Sequence, residues 1–149
     1  MLVHRLGRLA SLSRSELFDL LHAQWALAYA QFLVRTRPTG QLVSPASPAG
    51  KNPSTPSCEA LASRLSLAVV RAAEHGLFRP ACLVRAIALH RMLEARGIRG
   101  SRICVGVRYE QRRFAAHAWV EYGDQVLGDH AAYVGAFAPL IQGGLEPPS

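Results

Sequence analysis

Three residue types that together make a nucleophilic catalyst occur in the second half of the chain: Cys82, His117 and Asp129. A thiolate attacks a carbonyl carbon, an imidazole moves the proton, and a carboxylate fixes the imidazole's orientation and tautomer. Cys82 falls in the first turn of a predicted helix, where unpaired N–H groups and the positive end of the macrodipole favour thiolate over thiol. Cys58 also falls near a predicted helix start, and Cys104 lies within a predicted strand and reads as structural. A single cysteine is ordinarily a small buried hydrophobe, and a single histidine is often held by backbone alone, so the case rests on geometry.

The geometry comes from a hairpin. Residues 113–121 alternate, with Phe114, Ala116, Ala118 and Val120 on one face and Ala115, His117, Trp119 and Glu121 on the other. A turn at Tyr122-Gly123-Asp124 leads into a short strand over 125–129. A three-residue loop pairs Glu121 with Gln125, Trp119 with Leu127 and His117 with Asp129, and opposed side chains on one face lie roughly 5 Å apart at Cβ. A two-residue Gly123-Asp124 loop is equally good turn chemistry. It sets His130 opposite His117 and sends Asp129 to the other face.

Helices must position these strands. Residues 15–34 form a predicted amphipathic helix with an apolar stripe of Leu17, Leu20, Leu21, Ala28 and Phe32, widened by Trp25 and Leu27; Ser13 or Ser15 caps it. A second helix spans 58–75, from Ser57 as cap to Gly76 as stop, with Leu61, Leu65, Ala68, Val69 and Ala72 inward. A third spans 81–96, with Pro80 at its start and Gly97 at its exit. A strand with alternating Ile103, Val105, Val107 and Tyr109 follows. Helices first and an antiparallel meander afterwards define an α+β chain.

Between the first two helices, residues 36–57 hold five of the nine prolines, with two glycines and several serines. The expected organisation is an N-terminal helical segment over 1–35, a Pro-rich linker or loop over 36–57, the main domain over 58–142 and a loose tail over 143–149.

The chain has 149 residues, half of them hydrophobic and 18% charged, which suits one packed domain and excludes wholesale disorder. No apolar run reaches 18 residues, so no membrane-spanning helix is expected. No signal peptide is expected at the start, because Glu16 and Asp19 precede the apolar stretch, and His22 and Gln24 interrupt it. Of 17 basic residues 16 are Arg, and the net charge is +7. They are scattered rather than gathered in a patch, which argues against nucleic acid as partner. Three cysteines without a CxxC pair indicate free thiols in a reducing, cytoplasmic compartment. Cys82, His90, Cys104, His117 and His130 lack the short spacings of a zinc site, and no phosphate-binding glycine motif is present, so neither metal nor cofactor is expected.

The segment Pro80-Ala81-Cys82-Leu83-Val84-Arg85-Ala86-Ile87-Ala88-Leu89, the Arg96-Gly97-Ile98 exit, the strand Ile103–Val107, and Ala116-His117-Ala118-Trp119-Val120-Glu121 followed by Asp129 resemble the leader peptidases of lasso-peptide biosynthesis. Those peptidases belong to the transglutaminase-like cysteine peptidases. The resemblance runs over about residues 60–130, and the Pro-rich stretch departs from that family's compact pattern.

It implies a papain/transglutaminase-like core with helices on a small antiparallel sheet. Cys82 would be the nucleophile, His117 the general base and acid, and Asp129 its orienting partner; the position of Trp119 two residues after His117 reads either as a wall of the substrate cleft or as plain packing. The substrate would be a ribosomally made precursor peptide, presented by a separate leader-recognition protein and closed afterwards by an ATP-dependent macrolactam cyclase. Acyl transfer on the same scaffold, or a non-catalytic basic adaptor for a leader peptide, are the other readings.

Overall fold

The computed structural model describes residues 13–38 and 55–140. Most of the Pro-rich stretch, residues 39–54, and the tail lie outside the described residues.

Helix α1 (Arg14–Thr36) starts at Ser13, whose side chain accepts from the Glu16 backbone N–H while the Glu16 carboxylate accepts from the Ser13 backbone N–H. Helix α2 (Pro56–His75) begins two residues earlier than the Ser57 cap implied: Thr55 is the cap, and Pro56 takes the first turn, where its missing N–H is not needed. Helix α3 (Cys82–Ala95) starts after Ala81, so Pro80 stands outside it. It ends where Ile98 N–H bonds the Leu93 carbonyl and Gly97 N–H bonds that of Glu94.

Strands β1 (Arg102–Glu110), β2 (Arg113–Tyr122) and β3 (Gln125–Leu127) form an antiparallel meander. A short helix α4 (Ala131–Val134) then leads to β4 (Ala138–Pro139), which pairs with the free edge of β1, giving the order β3-β2-β1-β4. The expected α+β class holds.

One face of the sheet packs on the helices. Ala118, Val120, Tyr122 and Leu127 join a single core with Leu27, Leu65, Val69, Ile87, Leu89, Met92 and Leu93. Helix α1 belongs to that same core. The other face carries a smaller cluster, Trp119 with Val134 and Phe137, formed when the chain returns through α4 and β4.

The buried side of α1 corrects the sequence reading. Ala23, Ala26, Leu27, Ala30 and Leu33 face inward, whereas Leu17, Leu21, Trp25 and Phe32 face water, Trp25 with 70% of its surface exposed. The helix is apolar on two sides. The alanine side wins because small residues let α1 approach α2 and α3 closely, and because Asp19, on that side, is 2% exposed between Arg64 and Arg96.

Candidate active site

Cys82 is the first residue of α3. No side chain caps this helix, and its first intrahelical bond runs from Arg85 N–H to the Ala81 carbonyl. The N–H groups of the opening turn therefore point outward beside the thiol, as an anion or a developing oxyanion requires.

The β2–β3 turn is the two-residue one. Tyr122 pairs with Gln125, Glu121 with Val126 and Val120 with Leu127, so the register that would oppose Asp129 to His117 does not form. Their side chains meet nonetheless, by a different route. β3 ends at Leu127 rather than continuing to 129, and Gly128 takes φ +78°, which bends the chain out of the ladder. Asp129 then folds back, and its Oδ2 lies 2.5 Å from His117 Nε2. The other carboxylate oxygen accepts from the His130 backbone N–H at 3.0 Å.

Both partners are largely shielded, with side-chain exposures of 13% for His117 and 18% for Asp129. Aromatic rings enclose the imidazole. Trp119 lies nearly parallel at 6.2 Å between centroids, Tyr133 is edge-on at 5.1 Å, and Phe137 is tilted at 5.3 Å. Across the β1–β2 ladder His117 faces Gly106. A Cβ there would lie 2.8 Å from both Trp119 Cη2 and Phe137 Cβ, so only glycine lets those rings close over the histidine. Trp119 is itself buried, and its indole N–H donates to Glu121, which also receives Arg102. Burial pushes the Glu121 carboxyl up, but the Trp119 and Arg102 hydrogen bonds outweigh it and hold the group below its ordinary range.

Cys82 and Asp129 line one narrow cleft where the tip of α3 meets the end of β3, with Arg85, Trp119 and Gly128. His117 reaches this cleft through Asp129. Its ring sits on the sheet face away from the helical core, and no hydrogen bond joins it to the Cys82 thiol in this structure. Asp129 engages Nε2, so Nδ1 is the nitrogen left for proton transfer. Cys104 lies elsewhere, in β1 opposite Trp119, and burial pushes its thiol up to about 11, so it stays protonated at neutral pH. Among the described residues no three His, Cys, Asp or Glu side chains gather as metal ligands.

Two site residues were not evident beforehand. Arg85 donates from Nη2 to the Gly128 carbonyl at 3.0 Å. Ser66 on α2 accepts from the Gly128 N–H at 2.7 Å. The sequence carried one signal for the second: Ser66 is the polar member of the otherwise apolar series Ala62, Val69, Ala73, all buried.

The chain thus joins a helix tip bearing cysteine to an antiparallel sheet that carries a histidine–aspartate pair. The family model for the transglutaminase-like superfamily matches residues 20–142, and the chain belongs to that superfamily. No curated protein and no solved structure matches the chain. The superfamily includes cysteine peptidases and acyl transferases. Among the described residues no helix is long and apolar enough to cross a membrane.

Proposed function

We propose that this protein is a cysteine peptidase that removes the leader from a ribosomally made lasso-peptide precursor. The observation that carries this reading is the Asp129–His117 pair beside a cleft lined by the helix-tip Cys82. His117 Nδ1 takes the thiol proton of Cys82, and the resulting thiolate adds to the scissile carbonyl carbon, forming the C–S bond. The oxyanion is held by the backbone N–H of Cys82. His117 gives a proton to the departing amine as the C–N bond breaks. Water then adds to the thioester with His117 taking its proton, and loss of the C–S bond restores the thiolate. Asp129 holds Nε2 throughout and leaves Nδ1 for these transfers.

Trp119 walls the substrate side of the cleft. A separate leader-recognition protein presents the precursor, and the exposed apolar side of α1 is surface of the kind such associations use. An ATP-dependent cyclase then closes the ring. All three thiols are free, in keeping with a cytoplasmic setting. Product analysis of a candidate precursor tests the reaction class. Two free termini are expected, whereas a crosslinked product would reassign the chain to acyl transfer.

A further inference from the structure

We infer that Ser66 and Arg85 form a clamp on Gly128 that sets the position of Asp129 and, through it, the tautomer of His117. The inference rests on the proposed role of the His117–Asp129 pair. Gly128 is the one residue between the last ladder pair of β3 and Asp129, and its backbone is in the left-handed region at φ +78°. Both of its polar groups are held by helix side chains. Its N–H donates to Ser66 on α2 at 2.7 Å, and its carbonyl accepts from Arg85 on α3 at 3.0 Å.

The two bonds come from different helices and hold the two peptide units that flank the Gly128 Cα, so together they fix the rotation of the chain at the point where it leaves the sheet. Without them nothing in the β3 ladder reaches residue 129, because pairing stops at Leu127. Arg85 stands three residues after Cys82 on the same helix and lines the same cleft. The clamp therefore ties the carboxylate to the helix that carries the thiol, and the two groups move as one body.

Ser66 and Arg85 are positioning residues, so the test reads the histidine ring as well as turnover. In the full chain, at a pH high enough to keep the ring neutral, ring 15N shifts of His117 in the wild type show one tautomer, protonated at Nε2. Ser66→Ala and Arg85→Met both move those shifts toward the averaged values of a free imidazole, and Arg85→Lys restores them in part. Backbone amide spectra report that each variant is folded. With precursor and presenting protein added, Ser66→Ala and Arg85→Met lower kcat about tenfold, the size expected for loss of one hydrogen bond, with KM little changed. Unchanged ring shifts in both folded variants, or a wild-type ring with no fixed tautomer, overturn the clamp. Ring shifts that respond as expected in a protein that cleaves no precursor leave the clamp standing and remove the peptidase reading.

Discussion

The Asp129 carboxylate meets His117 Nε2 at 2.5 Å although the two residues are not partners in the sheet. A carboxylate so placed keeps the proton on Nε2 and Nδ1 free as base. Asp129→Asn preserves the shape but offers an amide that can donate to Nε2 and stabilise the wrong tautomer. Turnover should fall on the order of 10³-fold or more, with the fold intact by circular dichroism. A loss of under tenfold would remove Asp129 from the catalytic group.

Gly106 leaves the space that Trp119 and Phe137 occupy over the histidine. Gly106→Ala puts a methyl group into contacts of 2.8 Å, one with the Phe137 Cβ, which lies close to its backbone. Overpacking of this kind costs about 1–3 kcal/mol, read as a lower denaturant midpoint, and peptidase activity should fall further than stability because the rings that orient His117 are displaced.

His90 gives the fold a pH dependence of predictable sign. Burial lowers its pKa below the ordinary 6.5, a nearby Glu94 opposing that shift in part. Its Nδ1 lies 2.9 Å from Ser101 Oγ. The unfolded chain therefore binds this proton more readily than the folded one, so stability from this site is present above about pH 6.5 and is lost as the pH falls through the folded value. His90→Asn keeps a polar group near Ser101 without a titrating ring. Urea midpoints measured at pH 7.5 and 5 should drop less in the variant than in the wild type; an equal drop would assign the acid sensitivity elsewhere.

Asp19 ties α1 to the rest of the core through Arg96, at 2.6 Å, and Arg64, at 2.8 Å. The Arg64 contact is off hydrogen-bond alignment, and its side chain is 47% exposed, so the Arg96 bond supplies most of the effect. Asp19→Ala should destabilise the protein by about 1.5–3 kcal/mol in equilibrium unfolding, the range for a hydrogen bond to a charged group. A change within a few tenths of a kcal/mol would show that α1 is held by its alanine face alone.

Much of the fold was legible because local chemistry marks it. Ser13, one of the two serines offered as a cap, with Gly76 and Gly97 bounds the helices, and period-two alternation located β1 and β2. What escaped was decided by packing between elements. The outward Leu17–Phe32 stripe has the same three-four spacing as a buried face, and only contact with α2 and α3 selects the alanine side. The three-residue register would have brought Asp129 to His117 by ladder geometry; the chain instead uses the two-residue turn and a bend at Gly128. Cys82, His117 and Asp129 could be named from residue type and order, whereas Arg85 and Ser66 could not, since their partner is a backbone peptide 43 and 62 residues away.

The central claim is that the thiol at the tip of α3 is the nucleophile served by His117. Mass spectrometry of a candidate precursor, incubated with its presenting protein and with wild-type, Cys82→Ala or His117→Ala chain, tests it most directly. The account predicts free leader and core peptides with the wild type only, while both variants remain folded and leave the precursor whole. Cleavage that persists in the Cys82→Ala protein would contradict it.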